Sequence, residues 1–260
     1  MLSANTLFHF TNKTNLISIL KVCAFYPRYC YEDIATHDAS SNIHPDIAVP
    51  MVCFCDIPLS QIKNHINTYG SYGIGLKKEW GIDNGISPLQ YMHPSSKSAK
   101  ILNDETYLIQ KLIENTKDDR NLSLFDGLRH LKLRSFLFLK PYEGRMFRDG
   151  LYKSEKIIFY DEKEWRFLPE VNLPDFRIIY EFDEFIKDEN LKKKAHEDIS
   201  VNFSLNFNIN DISYIIIDND NDIEFFLDKI DELFDNKFNS KEIKILKTKI
   251  ITKSQIVNDF

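Results

Sequence analysis

The sequence predicts an α+β fold, and three observations carry that prediction. Strand-like apolar runs sit at both ends of the chain, near residues 6–10, 49–55 and 72–76 and again near 156–168 and 214–218. Between them, from about Ser95 to Phe138, the pattern turns helical. Strands and helices therefore do not alternate regularly, as a doubly wound α/β sheet would require. At 260 residues, the chain reads as a single α+β domain, 1–260, with a helical insertion at about 95–138.

Each element has a local reason. Thr6–Phe10 is a short buried strand, after which Thr11 or Asn12 can cap a helix whose apolar residues Leu16, Ile17, Ile19 and Leu20 recur at spacings of three and four. Phe25 to Tyr31 reads as extended. Residues 32–48, with Glu32, His37, Asp38, Ser40, Ser41, Asn42 and Pro45, read as a loop. Val49–Cys55 has the composition of a central strand. Pro58 suits the start of a helix through Ile62, His65 and Ile66 that stops at Tyr69-Gly70, because proline lacks only an N–H that would be unpaired there. A strand at Tyr72–Leu76, a short helix around Glu79-Trp80 and a strand at Pro88–Met92 follow.

In the insertion, Ile101, Leu108, Ile109, Leu112 and Ile113 make one apolar face and Leu124, Leu128 and Leu131 another. Strand character returns at Lys156–Tyr160 and Trp165–Leu168, and acidic helical material spans Phe182–Ala195. The end reads as a strand at Tyr214–Asp218, a helix at Ile223–Phe234 and a strand at Ile243–Thr252.

Composition narrows the function classes. A net charge of -6 makes the chain a poor generic polyanion binder. The run Lys192-Lys193-Lys194 lies beside acidic residues and reads as a solvated helix face. No apolar run approaches the ~20 residues that cross a bilayer. The start, Met1 to Asn5, has neither a basic head nor an apolar signal core, so the expectation is a cytoplasmic protein with no membrane partner. Cys23, Cys30, Cys53 and Cys55 then read as free thiols. A zinc site completed by His37, His44 or His65 is the sharper alternative. It has no Cys-x-x-Cys pair behind it, and Cys53 and Cys55 share one strand face, so the expectation is no metal. Gly-x-Gly-x-x-Gly and P-loop motifs are absent.

Three segments could carry chemistry. His9 lies in a strand that leads into a capped helix, so it is either a satisfied core histidine or a group reaching a ligand. In the second, Asp56 is a helix cap or a ligand contact. The glycines Gly70, Gly73 and Gly75 make either a tight helix-to-strand turn or a shelf where a flat ring stacks on Tyr69 or Tyr72. In the third, Asp161 to Phe167, alternation places Glu162, Glu164 and Arg166 on one face. Two such carboxylates raise each other's pKa unless a cation such as Arg166 intervenes. The plain alternative is a solvated edge strand with a buried Trp165.

Taken together, His9-Phe10-Thr11, Phe54-Cys55-Asp56-Ile57-Pro58-Leu59, the Tyr69 to Leu76 segment, Glu162-Lys163-Glu164-Trp165-Arg166 and the ending Gln255 to Phe260 resemble the AbiGi-type abortive phage-infection proteins. More distantly, the order His, Tyr, Glu is similar to the ADP-ribosyltransferase fold, including DarT-like toxins that modify nucleic acid. That resemblance implies a split mixed sheet and NAD as a substrate. It implies His9 at the adenosine-side ribose, Tyr69 or Tyr72 on nicotinamide, and Glu164 at the nicotinamide ribose as the catalytic carboxylate. Glu162 becomes its outer partner, and Thr11 and Arg166 join the NAD-binding set. ADP-ribose would then pass to water or to a nucleic-acid or protein acceptor. The AbiGi resemblance implies something different: a non-catalytic, antitoxin-like partner that restrains a toxin encoded by a neighbouring gene. A nuclease is disfavoured, because no carboxylate–metal cluster is visible.

Overall fold

A computed structural model describes residues 4–34, 45–148, 150–170 and 177–259. In chain order the elements are β1 (Thr6–Thr11), α1 (Lys13–Val22), β2 (Ala24–Phe25), β3 (Arg28–Glu32), β4 (Ile47–Cys55), α2 (Lys63–Tyr69), β5 (Tyr72–Lys77), α3 (Lys78–Asp83), β6 (Ser87–Pro88) and β7 (Gln90–Met92). Next come α4 (Lys97–Asn115), α5 (Asp119–Phe136), β8 (Leu139–Pro141), β9 (Gly144–Arg148), β10 (Leu151–Ile157) and β11 (Glu164–Phe167). The chain ends with β12 (Tyr180–Glu181), α6 (Phe182–Lys187), α7 (Glu189–Asn202), β13 (Leu205–Asn206), β14 (Ile212–Ile217), α8 (Ile223–Phe234), α9 (Ser240–Lys247), β15 (Ile250–Thr252) and α10 (Lys253–Asp259).

The central sheet is mixed and runs β15-β14-β5-β1-β4-β11-β6, with β3 and β12 attached to β4. Only β14 and β15 are parallel within it. Strand β4 is where the sheet forks. Its Cys55 is paired with Phe8 of β1 and with Glu164 of β11, while its Ala48 is paired with Tyr31 of β3 and Tyr180 of β12. Each antiparallel partner needs its own edge. The two ends of β4 are therefore flanked by different strand pairs, and β1 touches β4 at the single register Phe8↔Cys55.

One face of the sheet packs Leu7, Phe54, Ile74, Leu76, Ile215 and Ile217 against α1, α3 and α8; the other packs Phe8, Phe10, Cys55 and Ile216 against Ile62, Ile66 and Ile256. α1 begins as expected, its Asn12 side chain accepting from the Asn15 amide. Gly70 between α2 and β5 has φ 131, and a Cβ there would sit 2.2 Å from the Thr11 carbonyl oxygen. Only glycine fits that turn.

The insertion is a helical hairpin, α4 and α5, as the apolar periods indicate. Four local expectations are corrected. Ile243–Thr252 is mostly helix: Asn239 and Glu242 form a reciprocal capping box, and Ile243 and Leu246 bury one helical face, leaving only Ile250–Thr252 as strand. Pro88–Met92 divides into β6, on the main sheet, and β7, which pairs with β8 instead. Phe159–Glu162 is a 3-10 turn rather than a continuing strand. Within the presumed loop 32–48, Glu32 ends β3 and Ile47-Ala48 begin β4. The loop residues His37, Asp38, Ser40, Ser41 and Asn42, together with His44, Met1 to Ser3 and Phe260, lie outside the described residues. No helix among the described residues is long and apolar enough to cross a membrane.

Candidate functional site

A cavity of about 440 Å³ opens beside the fork of the sheet, and His9, Cys53, Tyr69, Lys140, Glu162 and Glu164 all border it. Its deepest chemistry is a cluster of buried charges. β11 pairs Glu164 with Cys55 and Arg166 with Cys53, which sets both charged side chains on the same sheet face as the two thiols. Trp165 and Phe167 turn the other way, into the main core.

Glu162 reaches this cluster by a different route from the one alternation suggests. It ends the 3-10 turn, and Lys163 follows with φ 46, so Glu162 and Glu164 are not on one continuous strand. They converge because one cation holds both. Lys140 Nζ donates to Glu162 Oε2 at 2.7 Å and to Glu164 Oε2 at 2.6 Å. Arg166 Nε and Nη2 donate to Glu164 Oε1 at 3.0 and 2.8 Å, its Nη1 donates to the Leu137 carbonyl at 2.9 Å, and its Nη2 lies 3.2 Å from Glu32 Oε1. Arg166 is 1% exposed and Glu164 6%. Charges this deeply buried are tolerable only when paired and hydrogen-bonded.

The ionisation follows from the competition between burial and pairing. Burial pushes the Glu164 carboxyl up, but Arg166 and Lys140 outweigh it and hold the group well below the usual carboxylate range. Burial pulls Lys140 down, and Glu164 and Glu162 more than reverse it, so the ammonium stays charged. Tyr69, at the end of α2, donates its hydroxyl to Glu162 Oε1 at 2.5 Å; burial first and the Glu162 charge second push the phenol far up, which keeps it a donor. The Glu164 backbone N–H donates to Tyr91 Oη at 2.8 Å and pins the start of β11.

His9 lies on the opposite sheet face from Glu164, because Phe8 is the β1 residue in register with Cys55. Its ring packs edge-on to Phe25 and near Phe54, so the core-histidine reading holds for most of the side chain. It nevertheless borders the cavity, at the point where β1 parts from β4. Nδ1 lies 2.9 Å from the Cys53 carbonyl oxygen, which can only accept, so Nδ1 carries the proton and Nε2 is the acceptor nitrogen. Burial lowers the His9 pKa against that hydrogen bond, which favours the neutral ring.

The structure therefore gathers His9, Tyr69, Glu162 and Glu164 at one cavity and separates the other three candidates from it. Tyr72 donates to Asp222 at 2.6 Å and stacks on Phe226 of α8, away from the cavity. Thr11 accepts from Asn15 at the start of α1. Arg166 lies beneath the cavity, supporting Glu164, and does not line it. Asp56 is neither a helix cap nor a cavity contact: it accepts from the Ala4 amide at 2.8 Å and from Lys78 at 2.7 Å. Gly73 and Gly75 lie inside β5 and abut the Phe10 and Phe8 rings, so they serve close aromatic packing, and the tight turn falls at Gly70 alone.

Sequence reasoning missed Lys140, Tyr91 and Glu32. Lys140 sits in the triplet Leu139-Lys140-Pro141, where a lone lysine between buried residues is the only hint available. It also missed Arg145 and Arg148 of β9, which add positive charge to the cavity wall. Among the described residues no group of three or more His, Cys, Asp or Glu side chains is placed to hold a metal ion, and all four cysteines are free.

Comparisons with known proteins point one way. Residues 23–218 match a family model described as "Putative abortive phage resistance protein AbiGi, antitoxin". The chain is similar to an abortive phage resistance protein AbiGi of Lactococcus lactis subsp. cremoris, at 33% identity over 211 residues, covering 75% of this chain and 82% of that protein. No solved structure matches the chain significantly.

Proposed function

The chain belongs to the AbiGi family of abortive phage resistance proteins, and from that premise we propose that its cavity is an ADP-ribosyltransferase-like cleft that binds NAD and cleaves it. The placement of His9, Tyr69 and the Glu162/Glu164 pair, drawn from three sequence-distant segments, along one cavity carries this reading. The residues present fit such a substrate. His9 offers Nε2 to a ribose hydroxyl, Tyr69 offers a flat ring, and Arg145 and Arg148 supply positive charge for a pyrophosphate.

In the proposed reaction the bond between nicotinamide nitrogen and ribose C1′ breaks, and its electron pair leaves with neutral nicotinamide. The positive charge left on the ribose needs a fixed negative partner. Among the described residues, Glu32, Glu162 and Glu164 form their ion pairs with Lys140 and Arg166, three formal negative charges against two positive ones. Water or an acceptor hydroxyl then bonds to C1′ and releases its proton.

Heat stability in the presence of NAD tests binding. At a hundred times its Kd, a ligand selective for the folded state stabilises by about 2.7 kcal/mol. For 260 residues that is about 5 °C in Tm. Tyr69→Ala removes the shift and Tyr72→Phe keeps it; no shift with wild type at millimolar NAD sinks the reading. Glu164→Gln abolishes nicotinamide release in a protein that still folds.

A second reading has its own support: an antitoxin-like partner whose cleft is no longer catalytic. The family model's description includes the word antitoxin, and both Glu164 oxygens are occupied by Lys140 and Arg166. It predicts a stable complex with the product of a neighbouring gene and no response to NAD.

A further inference from the structure

The hairpin α4–α5 carries apolar side chains that remain exposed among the described residues. On α4, Ile101, Leu108 and Leu112 are 57%, 60% and 46% exposed, and on α5, Leu124, Leu128 and Leu131 are 59%, 42% and 64% exposed. They are not scattered. Steps of seven and four on one helix, and four and three on the other, are the spacing of an interhelical seam. The hairpin's own seam is a separate stripe, with Leu102, Ile109 and Ile113 on α4 and Phe125 and Phe136 on α5 partly buried. Each exposed stripe lies roughly 100° from that inner seam, in the same rotational sense on both helices. In an antiparallel pair this places both stripes on one broad face.

We propose that this face is a homodimer interface, closed by the same hairpin of a second copy into a four-helix arrangement. Two observations favour a second copy. The first is self-complementary charge: Asp104 and Glu105 border the α4 stripe, and Lys132 borders the α5 stripe at the same level of the hairpin. Glu105 and Lys132 already pair across the hairpin. A two-fold axis that lays α4 of one copy across α5 of the other opposes acid to base twice, which is the signature of an isologous contact.

The second is area. At on the order of 100 Å² per fully exposed aliphatic side chain, the six positions present roughly 330 Å² on one copy and roughly 650 Å² on two. Homodimer interfaces are about 65% apolar, so the whole contact comes to roughly 1,000 Å², the lower bound for a specific association. A rapidly exchanging dimer with micromolar Kd fits that size. The hairpin is separate from the residues that line the cleft, so this proposal stands whether or not NAD binds there.

Sedimentation of the full chain from about 1 to about 100 µM tests it. The expected result is a monomer–dimer equilibrium within that range. The double variant Leu108→Glu/Leu128→Glu stays monomeric throughout, and Val201→Glu, at the most exposed apolar position of α7, leaves the equilibrium unchanged. Because both hairpin positions are solvent-facing, circular dichroism confirms that the double variant is folded. A wild-type monomer at every concentration overturns the proposal. So does a dimer that survives the double substitution, or a hairpin face taken up only by lipid vesicles or by the neighbouring gene's product.

Discussion

Lys140→Met is the sharpest probe of the buried cluster. The substitution keeps the length and apolar bulk of the side chain and deletes a cation that touches both Glu162 and Glu164. The Lys140, Glu162 and Glu164 side chains are 12%, 10% and 7% exposed, so water is poorly placed to replace the ammonium. Removing one partner from a buried ion pair costs about 3–5 kcal/mol, mostly through the charge left behind. Arg166 remains on Glu164, which argues for the lower half of that range, about 3–4 kcal/mol. With an unfolding entropy of about 0.55 kcal/mol/K for 260 residues, Tm falls by about 6–7 °C. Urea titration across pH adds a signature that simple packing loss lacks. Glu164 is held below its unfolded pKa, so its contribution is present above the unfolded value of about 4.3 and fades as pH falls towards the folded value. The deficit of the variant is therefore largest above about pH 5 and narrows in acid. Lys111→Met, which breaks the exposed and solvent-screened pair with Glu114, leaves the urea midpoint essentially unchanged. A loss below 1 kcal/mol at position 140, or one that is flat with pH, refutes the placement of Lys140 between the two carboxylates.

Three further outcomes test the local geometry. Gly70→Ala costs at least about 2 kcal/mol in chemical denaturation, since it forces a Cβ against the Thr11 carbonyl at a positive φ; an unchanged midpoint contradicts the turn. His9 is neutral at pH 7 and titrates below about 6.5 by NMR, so protonation weakens the fold as pH falls through that range; a pKa above 6.5 shows the ring to be solvated or paired with an acid. Tyr69→Phe removes the hydrogen bond to Glu162 and destabilises by about 1–3 kcal/mol, read as a fall in Tm; no change means the phenol and carboxylate are not in contact.

Much of the fold was legible because its periods are local. The apolar spacing in α1, α4, α5 and α8 and the dense strands β1, β4, β5 and β14 mark themselves within a few residues. Glu164-Trp165-Arg166 was visible as a charged strand and its cation requirement could be reasoned from like-charge repulsion, whereas Glu162 lies in the 3-10 turn before it. The errors fell where local pattern is ambiguous. Ile243-Lys244-Ile245-Leu246 alternates like a strand, but the Asn239–Glu242 capping box commits it to helix. Tyr69 and Tyr72 are three residues apart and of one chemistry, yet Gly70 reverses the chain between them, so one reaches Glu162 and the other Asp222.

The sequence by itself determined the mixed α and β character, the helical hairpin, the kinship with phage-defence proteins and which side chains were chemically eligible. Only the tertiary structure decided that the two glutamates meet through Lys140, a residue more than twenty positions away that no motif contained. The physical reason is that a buried carboxylate needs a counter-charge in space, and sequence distance does not restrict which strand supplies it. The same holds for His9: its face is set by the single register Phe8↔Cys55, which a strand's composition cannot specify.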